Sequence, residues 1–514
     1  MIRTRIVLAG VCIGISVAVF AQSDTLHILS MREVYAQNSW LSGSNPVGLS
    51  FNKFDSFSIA EACYSYTNGN LGNVSLPTSV NSYSISGESF QTLGKIGLYG
   101  RLDYIQEHNR GQNWNGMTNN YWQAVNLCDS VSGKWQGEVY HLAGAVSFPL
   151  DLHWLIGAKV DYQVQMTTKD SDPRNKNEWS DWKLTPGLGY RSGNAIFGLS
   201  LTYANKKETV DYQNMGTHAS YPFFVEYPLS FFNTIPKEGN IKWYYSAREI
   251  GGSLQLEIHK RNFRLFQELG VNITNQNIES NRIQEHTEGE TNHWQINYLG
   301  KLQKFTSRVR HDWKLIASYG RVNNYAPLQQ QEETGMWKSY GKVLRSTRQS
   351  GLCGFSYEYH QLRDVWHPYF SIVSGVYYQY GEDALLFYPI KYIQPLHHFT
   401  LHSKIIRNFV FSKGYLDCSI GGKYRVGSGT MLEERKLTSG QGTEEVKLWQ
   451  NSERLKQDYN YKTASRWGVN TSVTYTHKVP VCWFVRLSGN YEYSNACSIS
   501  ENNKKIVASL GLIF

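Results

Sequence analysis

Two kinds of residue in this chain could do chemistry: histidines close to hydroxyls, and paired carboxylates. His218 and Ser220 form the tightest local pairing of a base with a nucleophile, in "HAS". A hydrolytic serine needs its histidine oriented by a third polar group. The neighbours here are Tyr221, Phe223 and Phe224, and none supplies it. His397, His398 and His402 crowd into "HHFTLH" and could ligate a metal through imidazole nitrogen. Strand alternation, however, splits them between two faces. Glu332–Glu333 and Glu444–Glu445 sit in polar stretches and read as solvated charge. There is no CxxC and no HExxH to mark a zinc site. The expectation is a protein that is not an enzyme, with no catalytic, cofactor-binding or metal-ligating residues and no cofactor.

The elements that carry these residues are set by export and by a period of two. Arg3 and Arg5 precede an apolar run over residues 6–20, and Val19-x-Ala21 offers a small-residue cleavage site. Residues 1–21 therefore read as a secretory signal peptide. Cys12 lies within it and lacks the small preceding residue of a lipoprotein site. No later stretch approaches the roughly 18 apolar residues of a spanning helix. The net charge of +9 is spread along the chain without a polybasic block, which argues against a nucleic-acid partner. The sequence has 35 Tyr, 15 Trp and 44 Gly but only 13 Pro, a composition that favours strands. The cysteines after Cys12 are widely spaced, with Cys482 and Cys497 the nearest pair for a disulfide.

Alternation is long as well as frequent. From Trp154, one face carries Ile156, Ala158, Val160, Tyr162, Val164 and Met166, the other Gly157, Lys159, Asp161, Gln163 and Gln165. Leu254, Leu256 and Ile258 alternate with Gln255, Glu257 and His259 in the same way. Such runs exceed the usual soluble strand and suit a tilted membrane-spanning strand of about 9–11 residues with one wet face. Short links near 91–94, 148–153, 191–194, 260–262, 304–307, 362–367, 412–414 and 478–480 alternate with longer polar stretches. These fall near 68–80, 108–134, 169–181, 207–243, 277–292, 323–349, 381–395, 428–464 and 495–502. Eight turns and nine loops give an all-β fold: a transmembrane antiparallel up-and-down β-barrel of about 18 strands, 16 being the lower count, with a short amino-terminal helix. Arg101, Asp103, Lys159, Asp161, Glu257, Arg264, Glu268, Lys423, Arg425 and Arg486 are its candidate lumen lining.

Residues 22–50 break the rhythm and form a lumenal or periplasmic lead to a barrel over 51–514. Ser30 and Glu33 make a capping box, and Met31, Val34, Tyr35 and Leu41 lie at helical spacing over about 31–41. The stretch "GSNPVGL" over 43–49 should end that helix in a turn. Within it "SNPVGL" resembles the NPA(G) motif of the long-chain fatty-acid transporter family, outer-membrane barrels with an amino-terminal hatch in the lumen. The resemblance makes Asn45, Pro46 and Gly48 hatch residues, with Val47 where that family has Ala. The signal, this NPxG-like lead and a terminal Phe also resemble uncharacterised outer-membrane β-barrel families of Gram-negative bacteria. "DTLHILS" (24–30) is faintly similar to the energy-coupling box of TonB-dependent receptors. Those carry a plug domain far longer than the stretch before alternation starts near Asp55, so that reading is set aside.

In the last nine residues, "IVASLGLIF", Leu510, Leu512 and Phe514 share one face. This is similar to the carboxy-terminal signature by which outer-membrane barrels are recognised for assembly. The expected partners are outer-membrane lipid, the barrel assembly machinery and, as a further candidate, a surface lipoprotein. The expected location is the outer membrane of a Gram-negative bacterium. The function that fits is a channel or uptake port for small polar or amphipathic solutes. Its rival is a non-conducting scaffold or binding barrel that serves a surface or secretion complex. The long outer loops, including the aromatic-amide stretch 113–122 and the charged loop 428–464, are expected to fold into a cap.

Overall fold

A computed structural model describes residues 31–514 apart from 32–33, 36–37, 53, 55, 74, 119–123, 214–221, 236–239, 281–285, 334–335, 364–366, 438–447, 479–480 and 496–500. The expected signal peptide, the Ser30–Glu33 capping pair, His218–Ser220, Glu444–Glu445 and Cys497 lie outside the described residues. Eighteen antiparallel strands close into one barrel. In chain order they are β1 Ser56–Gly69, β2 Ser79–Leu93, β3 Ile96–Gln112, β4 Gly133–Pro149, β5 Trp154–Lys169, β6 Arg174–Ser192, β7 Ala195–Gln213, β8 Asn240–Lys260 and β9 Phe263–Ser280. The second half comprises β10 His286–Phe305, β11 Val309–Gln331, β12 Trp337–Leu362, β13 Pro368–Phe387, β14 Ile390–Phe411, β15 Gly414–Gly429, β16 Arg466–His477, β17 Cys482–Ser494 and β18 Glu501–Ile513. Each pairs with the next in sequence, and β18 returns to β1 in a register that sets Ile513 opposite Ile59 and Asn503 opposite Gly69.

The outer face is a membrane-type belt. Leu254, Ile250 and Ile420 are 60%, 66% and 57% exposed there, with no protein to cover them. Aromatic pairs edge the belt at both rims. Trp154–Tyr190 (4.8 Å), Trp313–Tyr357 (5.7 Å) and Tyr475–Trp483 (5.6 Å) flank the short turns. Tyr64–Tyr83 (5.1 Å), Trp294–Tyr319 (5.4 Å) and Trp467–Tyr491 (5.6 Å) mark the loop side. Amphipathic rings belong at those two depths in a bilayer. No helix among the described residues is long and apolar enough to cross a membrane.

The eight short turns and nine opposite connections match the sequence reading, but several polar stretches expected as loops are strand. β11 and β12 run for 23 and 26 residues and meet across 332–336, and β13 and β14 meet across 388–389. Beyond the hydrocarbon both faces of the wall are wet, so apolar alternation fades while backbone pairing continues. The amino-terminal helix also ends earlier than expected. Met31, Val34 and Tyr35 are helical, but the chain leaves the helix by Asn38 and makes two 3-10 turns, Ser39–Ser42 and Pro46–Phe51. Cys63, Cys128, Cys353, Cys418 and Cys482 are free thiols.

The seam ends on the terminal residue. Phe514 N–H donates to Ser58 O at 2.9 Å, and Ser58 N–H donates to Phe514 O at 3.0 Å. Leu510 and Leu512 face outward on the same strand. Deleting Phe514 removes both bonds and is expected to lower the amount of heat-modifiable barrel in the membrane fraction. Insertion at the wild-type level would refute its role in assembly.

Candidate functional site

The segment before β1 lies inside the barrel and is held there residue by residue. Asn38 caps the first 3-10 turn by accepting from Trp40 N–H at 3.1 Å. Its Nδ2 donates to Gly48 O and to Asn52 Oδ1, both at 2.8 Å, which ties the first turn to the second. Asn45 caps the second turn, where Pro46 takes the first position and so leaves no N–H unpaired. The Asn45 Nδ2 reaches the wall at Leu188 O, Leu199 O and Gln255 Oε1 within 3.0–3.2 Å. Ser44 donates its N–H to Glu268 at 3.0 Å, and its hydroxyl lies 2.6 Å from Ser253 Oγ and 3.1 Å from Ser200 Oγ. Trp40 is buried, donates Nε1–H to Glu257 and packs edge-on against Phe266 at 5.4 Å.

Glycines in the wall make this seat. A Cβ at Gly187 would lie 2.1 Å from Asn45 Oδ1 and 2.9 Å from Pro46 Cδ. One at Gly157 would meet Pro46 C and Val47 N at 3.1 Å, and one at Gly189 would meet Val47 Cγ1 at 2.8 Å. At Gly97 and Gly198 the obstacles would be Leu49 O at 2.8 Å and the Trp40 ring at 2.7 Å. Glycine inside a strand weakens it, and its use here is close approach of a second backbone. On the seam side the contact changes character, since Val34 and Leu49 pack with Phe57, Phe90, Phe484 and Ile513. A cavity of about 340 Å³ adjoins the segment, with Lys159, Lys183, Glu249, Glu268, Asn272 and Asn297 in its lining.

The expected lumen residues all face inward, mostly as paired wall groups. Arg101 contacts Asp103 at 2.7 Å, and His141 bridges Asp103 and Asp161 at 2.8 and 3.1 Å. Lys159 completes that row at 3.4 Å from Asp161. Glu257 is approached by Arg264 and His259 at 3.2 and 3.1 Å besides Trp40. Lys423 lies 3.9 Å from Glu492 and Arg486 lies 3.2 Å from Glu61, while Arg425 sits opposite Arg466 in the next strand. Asn45 and Pro46 share a cavity with Glu268 and with Lys159 from the Arg101 row, and Trp40, against which Gly48 packs, reaches Glu257, whereas the Lys423–Arg486 side is outside that cavity. Sequence reasoning missed Asn38, Trp40, Gln255, His141 and the wall glycines. The glycines carried the one usable signal, because they recur at inward positions of otherwise regular strands.

A second structure crosses the loop end of the barrel. Phe223–Glu226, Phe231–Ile235, Asn126–Cys128 and Trp449–Gln450 form a four-stranded sheet built from three loops. It packs on inward wall residues Val210, Tyr212, Ile241, Trp243 and Ile278 on one side and reaches Leu385 on the other. Helix α1 (Ser452–Thr463) buries Arg454 against Glu226, with the guanidinium 5.0 Å from the Trp114 ring centre. Burial pushes the carboxyls of Asp129, Glu226 and Asp458 above the ordinary range, against the pull of Lys169, Arg454 and Lys462 respectively. The expected cap is thus present. The "ERLK" charges form its helix, and "EERK" forms the short strand Glu433–Lys436. The three clustered histidines part company: His397 bonds Tyr378 on the outer face, while His398 turns inward to Lys462 O and His402 to the Tyr377 ring.

Gly187→Leu is expected to push the segment from its seat, since overpacking of this kind costs about 1–3 kcal/mol. Limited proteolysis should then cut within residues 38–52 while the barrel stays heat-modifiable. Gly87→Ala, whose Cβ meets nothing within 4 Å, is the control. Equal protection of all three proteins would refute the seat.

No curated protein matches the sequence. Among solved structures, BauA, the ferric preacinetobactin receptor from Acinetobacter baumannii, is similar over 89% of this chain and 80% of its own, at 9% identity and a TM-score of 0.40. The outer-membrane transporter YddB from Escherichia coli covers 90% of this chain and 81% of its own, at 7% identity and 0.40. The ferric yersiniabactin uptake receptor FyuA from Yersinia pestis covers 88% and 80%, at 10% identity and 0.36. At such identities the likeness lies in the barrel architecture. Residues 46–514, from the docked segment to the closing strand, match the family of unknown function DUF6850, and the chain belongs to that family.

Proposed function

We propose that this chain is an uptake port in the outer membrane of a Gram-negative bacterium, passing small polar solutes, or amphipathic ones with a charged end, without a chemical step. The observation that carries this reading is a segment of the chain seated in the lumen on hydrogen bonds and wall glycines, outside the sheet itself. A barrel of this strand number has room for water. Its lining pairs both signs of charge, which leaves size the main basis of selection. The charged and amide lining of the cavity beside Ser44 and Asn45 suits a polar solute better than the long alkyl chain that the fatty-acid transporter resemblance implies. The folded cap favours a second reading, a non-conducting barrel that binds a surface lipoprotein or another partner through its loops.

Conductance in planar bilayers separates the two. The intact protein is expected to open rarely, and a form lacking residues 22–50 to show frequent discrete openings. Arg454→Ala strands Glu226 as a buried charge, at about 3–5 kcal/mol, and should lengthen openings by loosening the cap. Silence from the truncated form would overturn the port and leave the binding barrel.

A further inference from the structure

We propose that the lumen wall near the turn end holds a site for a divalent transition-metal ion of the zinc type, made by Asp312, Glu358 and His360. These residues sit on neighbouring strands, with Asp312 directly opposite Glu358 in the ladder between β11 and β12. One donor atom from each lies within 4.8 Å of the others. His360 is 1% exposed, and its Nδ1 is 2.9 Å from Ser371 Oγ on the adjacent strand. That bond holds the ring so that Nε2 points between the two carboxylates, 3.4 Å from Asp312 Oδ2 and 3.3 Å from Glu358 Oε2.

Those two distances decide between a proton and a metal. An imidazolium bound to a carboxylate closes to about 2.7–2.9 Å. Here Nε2 stands 3.4 and 3.3 Å from the two carboxylates, with no partner at that shorter length. Ligands bound to zinc at about 2.0–2.1 Å stand about 3.3 Å apart along a tetrahedral edge. Ser371 Oγ can accept from Nδ1–H, and in that tautomer the Nε2 lone pair faces two anionic groups, an arrangement that a cation between them resolves. The surroundings are those of a supported ligand set. Arg310 Nε donates to Asp312 Oδ2 at 3.1 Å, and Gln303 Nε2 donates to Asp312 Oδ1 at 3.1 Å. Such partners fix the orientation of metal-bound carboxylates and histidines. One nitrogen and two carboxylate oxygens favour zinc, cobalt or nickel over the oxygen-only sets of calcium and magnesium.

The Glu358 side chain is 32% exposed, so a fourth position opens toward the lumen. Gln303 also receives the Ser39 hydroxyl at 3.3 Å, which places the site one side chain from the docked segment.

The test is titration of the purified full-length protein in detergent with Zn²⁺ by calorimetry and with Co²⁺ by visible absorption. One ion per chain and the intense bands of four-coordinate Co²⁺ are expected. His360→Gln and Asp312→Asn should abolish both signals, and Ser371→Ala should weaken affinity by about 10–100-fold. His153→Gln, in an exposed turn, should change neither. Heat-modifiable migration checks folding. If His360→Gln does not fold, the affinity of Ser371→Ala decides the matter by itself. No saturable binding, or binding that survives in His360→Gln or is unmoved in Ser371→Ala, overturns the site.

Discussion

A backbone N–H or C=O left unpaired in hydrocarbon costs several kcal/mol, and everything else in this molecule follows from meeting that constraint. Eighteen strands in a row satisfy it only when the last finds the first. The register that joins β18 to β1 therefore has to hold along its whole height. The reciprocal bonds between Ser58 and Phe514 finish that seam at the rim where the segment enters the lumen. Closure and entry of the segment are one local problem, since Phe57 and Ile513 lie under Leu49 and Val34.

Closure also divides every strand into a lipid face and a lumen face, and the two obey different rules. The lipid face needs only bulk and low polarity, so leucine, isoleucine and valine alternate there with little distinction. The lumen face must accommodate charge, water and a second piece of chain. It does so by pairing its charges, as in the row from Arg101 through His141 to Lys159, and by shedding side chains where the segment lies close. Gly157, Gly187 and Gly189 are weak strand residues in isolation, and the flanking ladder supports them.

What is legible in the sequence is what repeats. Trp154 to Met166 reads as a spanning strand because lipid on one side and water on the other impose a period of two. The turns near 191–194 and 412–414 read as turns because both faces end there. The pattern fades above the membrane, so the paired arms of β11 and β12 read as a loop over 323–349. Contacts made across the barrel leave no local trace. Asn45 stands out by its motif, but its partners Gln255 and Leu188 lie far off in sequence. Asp312, Glu358 and His360 come together only through strand register, which no short motif encodes. Trp114 lies in a stretch expected in the cap and is found there, but its partner Phe224, stacked on it at 4.7 Å, comes from a different loop.

The docked segment is bound unequally along its length. Near the seam it is held by apolar burial, where separating Leu49 and Val34 from Phe57, Phe90 and Phe484 would expose hydrocarbon on both sides. Over β6–β9 it is held by Ser44 and Asn45 on hydroxyls, amides and a carboxylate. Water can take over those bonds, and each contributes only about 0.5–1.5 kcal/mol net. Trp40 adds an aromatic contact there, but its Glu257 partner keeps Arg264 and His259 when the indole leaves. Under Ser44 and Asn45 the wall is polar and bonded within itself through Ser200, Ser253 and Gln255, whereas Trp40 covers Phe266 and Ile196. The cap is the opposite case, because lifting it would bare Trp243, Ile241 and Val210 inside the mouth. Of the two obstructions, the Ser44–Asn45 end of the segment is the one whose release leaves the fewest groups unsatisfied, and it adjoins the cavity lined by Lys159, Glu249 and Glu268.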